Sequence, residues 1–148
     1  MKILIVEDDN YKADSLKKFI FNNINANAEV SLATNLKDAI FSIEEKCYDY
    51  IFVDMSIPSH PTMVGQGTAF SLVKGGLEVL MEISELNRGD RCIVITQYPE
   101  IEISGNFYLV KHSKTKLKEI LGCEVLDCIQ YFIDDDSWQI ELKKCFIK

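Results

Sequence analysis

Apolar residues fall along the chain in short blocks of two alternating kinds. Residues 3–6, ILIV, are apolar at every position, the pattern of a strand buried on both faces. Residues 11–24 follow with Leu16, Phe19, Ile20 and Ile24 at helical spacing, and Asp9 or Asn10 can cap that helix. AEVSLA (28–33) reads as a second strand. Leu36, Ala39, Ile40, Ile43 and Cys47 then share one helix face, with Thr34 or Asn35 as cap. YIFVD (50–54) predicts a third strand. Residues 77–87 predict an amphipathic helix with Leu80, Ile83 and Leu86 inward, ended by Asn87-Arg88-Gly89. RCIVIT (91–96) is a fourth buried strand. KTKLKEIL (114–121) reads as helix, with Gly122 as its stop, and VLDCIQYFI (125–133) suits a fifth strand. Ser137 is placed to cap a last helix with Trp138, Leu142, Cys145 and Phe146 on its inner stripe.

Strand and helix thus alternate five times, which implies an α/β fold: a parallel sheet wound with helices on both faces. There is no internal repeat or low-complexity tract, and residues 1–148 read as one domain. The connection SHPTMVGQGTAFSLVK (59–74) is long and punctuated by Pro and Gly; loops of that length usually carry function or move.

Composition narrows the choice of partners. The formal net charge of −7 argues against direct nucleic-acid binding, which needs a basic footprint. The five cysteines are odd in number and widely spaced, with no CxxC pair, as expected of reduced cytoplasmic thiols. MKILIVEDD offers only a four-residue apolar run before three acids, so it is not expected to be a signal peptide. No apolar run approaches the ~20 residues of a membrane span.

The candidate chemistry lies where strands end. In YDYIFVDMSIP (48–58) the run Ile51-Phe52-Val53 stops at Asp54, and a proline follows four residues later. An ionised carboxylate is not left unpaired in a core. Asp54 is either a turn residue beyond the sheet edge or is held by a partner such as a metal ion. Glu7 and Asp8 follow the first strand directly. In a doubly wound sheet, ligands bind beyond the carboxyl ends of the strands where the strand order reverses. If the first and third strands are neighbours, three carboxylates converge there, and a hard divalent cation such as Mg²⁺ relieves their repulsion. The plainer alternative makes EDD an acidic helix cap and Asp54 a turn residue.

These segments resemble the receiver domain of bacterial two-component response regulators. ILIVEDD resembles the receiver's first strand with its acidic pair. YDYIFVDMSIP resembles the third strand with its phosphoacceptor aspartate, CIVIT the fourth strand ending in a hydroxyl residue, and GGLEVLMEI the helix after the phosphorylation loop. The resemblance implies a flavodoxin-like, five-stranded parallel sheet of order 2-1-3-4-5. It implies that Asp54 takes a phosphoryl group from a partner histidine kinase or phosphotransfer protein. Mg²⁺ would be held by Asp8, Asp54 and the Ser56 main-chain carbonyl, with Glu7 acting through water, and Thr96 would hydrogen-bond a phosphoryl oxygen. Ser56 and Tyr98 would flank the water that hydrolyses the product. The chain would then be a phosphoacceptor with Mg²⁺-dependent self-dephosphorylation rather than an enzyme. It would be a cytoplasmic, stand-alone monomer or weak dimer that signals to a downstream effector protein, without membrane or nucleic acid.

The sequence departs from that family in two places. Receivers carry a lysine at the end of strand five. FYLVKHS puts Lys111 after an apolar segment, but only 14 residues then separate Thr96 from Lys111, too few for a loop, a helix and a strand. Strand five at 125–133 fits better and leaves Gln130 or Tyr131 near the lysine's place, with Lys111 able to reach the site only from the preceding loop. The second departure is Gln97, where most receivers have a small residue; it either crowds the site or hydrogen-bonds to it. A rival reading follows, a phosphorylation-independent adaptor (a pseudo-receiver) that binds through the 59–74 loop or the strand-five face. A Mg²⁺-dependent phosphohydrolase is a third and weaker one. His60 and His112 are isolated and read as surface residues. GQG (65–67) lacks the spacing of a nucleotide loop, and Asp134-Asp135-Asp136 reads as a solvated approach to the last helix.

Overall fold

The structure is a computed structural model and describes residues 1–61, 71–72 and 75–147. Its centre is a parallel sheet of β1 (Lys2–Val6), β2 (Glu29–Ala33), β3 (Tyr50–Val53), β6 (Arg91–Thr96) and β9 (Asp127–Gln130), in the order β2-β1-β3-β6-β9. Counting these five strands alone, the order is the expected 2-1-3-4-5. The reversal between β1 and β3 is the switch point at which such sheets bind ligands.

The unbroken apolar runs are explained by burial on both sides. Leu4, Val6, Ile51, Val53, Cys92, Val94 and Cys128 face one core, against Ala39 and Ile43 of α2 (Leu36–Glu45) and Val79, Leu80 and Ile83 of α3 (Gly75–Leu86). Ile3, Ile5, Tyr50, Phe52, Ile93, Ile95 and Ile129 face the other. There they meet Leu16 and Phe19 of α1 (Asn10–Phe19), and Trp138 and Leu142 of α5 (Ser137–Lys144). Asp9 caps α1, its side chain accepting the Lys12 N–H, and Asn35 caps α2 by accepting the Asp38 N–H. α1 continues through a wider π-type turn over Ile20–Ile24.

Several sequence expectations need correction. β7 (Glu100–Ile103) and β8 (Asn106–Leu109) form an antiparallel hairpin that periodicity did not announce. Its two-residue turn is Ser104-Gly105, both at positive φ (51° and 85°), the geometry that matches strand twist in tight hairpins. α4 (Val110–Lys116) therefore starts earlier than residue 114, continues by a π-type turn over Leu117–Leu121, and stops at Gly122 with φ 70°. The fifth strand is shorter than 125–133, because Phe132 and Ile133 emerge into solvent. Ser137 is the first residue of α5 rather than its cap, and its N–H donates to Asp135 Oδ1 at 2.6 Å. Leu86 and Cys47, expected inward, are exposed because each lies at or beyond its helix end.

The 59–74 connection is clamped at its feet by an antiparallel pair, β4 (Ile57–Pro58) with β5 (Ser71–Leu72). The GQG stretch lies outside the described residues. α3 then begins hard against the loop after Asp54. A Cβ on Gly76 would lie 2.5 Å from the Asp54 carbonyl oxygen and 2.6 Å from Met55 Cα, so only glycine allows this approach. Among the described residues no helix is long and apolar enough to cross a membrane.

Candidate functional site

The sheet register brings the acids together. Val6 pairs with Val53, so the next residue on each strand, Glu7 and Asp54, emerges side by side at the carboxyl end. Asp54 N–H donates to the Val6 carbonyl and Glu7 N–H to the Ala33 carbonyl, each at 3.0 Å, extending the ladders one step beyond the strands. One carboxylate oxygen from each of Glu7, Asp8 and Asp54 falls within 4.8 Å of the others. Asp54 and Glu7 are only 2% and 1% exposed, whereas Asp8 is open to solvent. Thr96, fully buried, ends β6 on the other side of Asp54, and its hydroxyl accepts the Tyr98 N–H at 3.2 Å.

A residue unforeseen from sequence completes the cluster. Lys12, in the first turn of α1, is 1% exposed and sends its ammonium into the acids. Nζ lies 3.1 Å from Glu7 Oε1 and 3.4 Å from Asp54 Oδ1. Its directed hydrogen bonds go to the Ile95 carbonyl at 2.7 Å and to Gln97 Oε1 at 3.2 Å. The Glu7 and Asp54 carboxylate oxygens have no hydrogen-bond donor of good geometry among the described residues. Burial pushes the Glu7 carboxyl up to about 9, against the opposing pull of Lys12. Partial desolvation at the mouth of the cluster, with the neighbouring charges of Asp54 and Asp9, also raises the Asp8 carboxyl from its ordinary value.

The other expected residues fall as follows. Ser56 is half-buried just past Asp54, and Tyr98 is half-exposed beyond Thr96. Gln97 is exposed, and its side-chain carbonyl oxygen accepts a hydrogen bond from Lys12 at 3.2 Å. Lys111 is exposed in the first turn of α4. It lines a separate cavity of about 490 Å³ with Cys128, Gln130 and Trp138. β9 carries no lysine, and its last residue, Gln130, pairs with Thr96. Both histidines are exposed.

Comparison with known proteins decides the family. No family model matches the chain. The chain is 37% identical over 136 residues to the Detocs response regulatory protein DtcB of Vibrio alginolyticus, covering 91% of each. The chain belongs to the response-regulator receiver family. Solved receivers share its fold. One is the signal receiver domain of a Luxo repressor protein from Vibrio parahaemolyticus (TM-score 0.63, 16% identity, 98% of this chain and 88% of that one). Another is a CheY-like receiver from Methanospirillum hungatei (0.59, 20%, 97% and 88%). A third is a response regulator from Thermotoga maritima solved with Mg²⁺ and beryllofluoride (0.57, 21%, 97% of each). Receivers of two-component systems are in general signalling domains rather than enzymes, and the acidic cluster here sits at the carboxyl ends of β1 and β3.

Proposed function

We propose that this receiver is a phosphorylation switch whose acceptor is Asp54. The observation that carries the reading is the convergence of Glu7, Asp8 and Asp54 at the β1/β3 switch point, with Thr96 alongside. The four buried carboxylate oxygens without a good hydrogen-bond donor fit a cation-binding role. Asp8, Asp54 and the Ser56 carbonyl would hold Mg²⁺, with Glu7 acting through water. When bound, the ion supplies charge relief to a transferring phosphoryl group. An Asp54 oxygen attacks phosphorus, and the P–N bond of a donor phosphohistidine breaks. The imidazole leaves with the electron pair, and a mixed anhydride forms on Asp54. The Thr96 hydroxyl then stands ready to donate to a phosphoryl oxygen, drawing the 96–98 loop inward. Signalling to an effector protein follows from that movement.

The test is intact mass after incubation with acetyl phosphate, with and without Mg²⁺. A gain of one phosphoryl group in wild type but not in Asp54→Asn supports the switch. Two observations favour the adaptor reading instead: Asp54 is only 2% exposed, and Lys12 already pairs with it. No gain with any donor, together with unchanged partner binding by Asp54→Asn, would establish the adaptor.

A further inference from the structure

Lys12 is in a place that works against a lysine. A cation in the first turn of a helix opposes the helix dipole, and a buried ammonium is tolerated only when paired. Yet Lys12 shares the inward face of α1 with Leu16 and Phe19, and its stem runs among Val6, Leu16, Phe52 and Ile95. Helical side chains lean toward the helix N-terminus. A first-turn lysine therefore projects past the end of the helix, over the carboxyl ends of β1 and β3. The Asp9 cap fixes the backbone from which it starts.

The contacts at its tip are divided in a telling way. The Ile95 carbonyl, one residue before Thr96, anchors Nζ at 2.7 Å, and the Tyr131 ring lies 5.8 Å away. Asp54 and Glu7 stand at ion-pair distance without directed bonds. The ammonium is thus held by β6 while presenting its charge to the Asp54 oxygen that would carry a phosphoryl group. At the carboxyl end of β9 stands Gln130, with no charge to offer.

We propose that Lys12 is the phosphoryl-binding cation of this receiver, supplied from α1 rather than from the end of β9. The assignment rests on Asp54 being the acceptor. Before transfer Lys12 neutralises Asp54. After transfer it turns from the carboxylate to a phosphoryl oxygen while keeping its bond to Ile95.

The experiment titrates beryllofluoride, a phosphoryl mimic, in the presence of Mg²⁺, and titrates Mg²⁺ alone, reading Trp138 fluorescence. Trp138 reports on the site because its ring lies 5.2 Å from that of Tyr131. Lys12→Met should bind Mg²⁺ at least as tightly as wild type, because a competing charge is gone. It should bind beryllofluoride roughly ten-fold or more weakly, the loss of a charge-assisted contact, and Lys12→Arg should recover part of that loss. If Lys12→Met does not fold, Lys12→Gln, which keeps a donor for the Ile95 carbonyl, carries the same comparison. Wild-type beryllofluoride affinity in the neutral variant overturns the assignment, and so does an equal loss of Mg²⁺ and beryllofluoride binding, the mark of a merely structural lysine. Wild-type protein that binds no beryllofluoride and gains no mass from acetyl phosphate overturns both this assignment and the Asp54 reading. Phosphorylated wild type with an unaffected Lys12 variant overturns this assignment alone.

Discussion

Trp138 ties the last helix to the side of the sheet that carries α1, and removing it should be costly. The ring is 3% exposed and lies between Phe19 (centroids 5.7 Å apart) and Tyr131 (5.2 Å), with Leu142 buried one turn on. Truncation of a buried aromatic to alanine costs about 3–5 kcal/mol in lost transfer energy and cavity. Each aromatic pair adds ~0.5–1.5 kcal/mol, so Trp138→Ala belongs near the upper end of that range. That is a large share of the ~5–15 kcal/mol typical of a whole domain. Because Trp138 is the only tryptophan, the assay is urea unfolding followed by far-UV circular dichroism. The midpoint should fall while the slope stays the same. Trp138→Phe, which keeps a ring in the slot, should lose less than half as much. A Trp138→Ala loss below about 1 kcal/mol, well short of the cavity cost, would refute the packing of α5 against Phe19 and Tyr131.

Two other outcomes follow from the same geometry. Gly76→Ala should destabilise by ~1–3 kcal/mol, because its Cβ meets backbone at the Asp54 loop. Gly89→Ala, whose Cβ meets nothing, should stay within ~0.5 kcal/mol; comparable chemical-unfolding midpoints for the two would contradict the close approach. Glu7→Gln should flatten the pH dependence of stability measured without Mg²⁺. An acid whose folded pKa is raised binds more protons folded than unfolded, so wild type loses stability as pH rises from the ordinary 4.5 toward about 9, and the amide does not. Parallel melting-temperature profiles for the two proteins across that window would show that Glu7 does not hold its proton.

Much of this architecture was legible because central parallel strands leave an unmistakable trace. ILIV, IFV and CIVI have no polar alternation, and each is followed directly by a residue of the candidate site. Convergence of Glu7, Asp8 and Asp54 needed only the assumption that the first and third strands are neighbours, and the Val6–Val53 register meets it. The β7–β8 hairpin was harder. Its strands are four residues each, and the turn signal is a single Ser-Gly pair inside a mixed segment. Lys12 was missed for a different reason. A lysine early in an amphipathic helix is read as solvated, because snorkelling side chains ordinarily reach water. A signal did exist: Lys12, Leu16 and Phe19 stand at i, i+4 and i+7, so the lysine lies on the buried stripe itself. Only the register of β1, β3 and β6 reveals what waits at the end of its reach.

The central claim is that Asp54 itself carries the phosphoryl group. It is tested most directly by trapping. After incubation with acetyl phosphate and Mg²⁺, borohydride reduces an aspartyl phosphate to homoserine, and peptide mass spectrometry reads where the homoserine stands. The account predicts homoserine at position 54 alone, absent when Mg²⁺ is chelated. Homoserine at position 8, or no homoserine in protein that has gained phosphoryl mass, would contradict it.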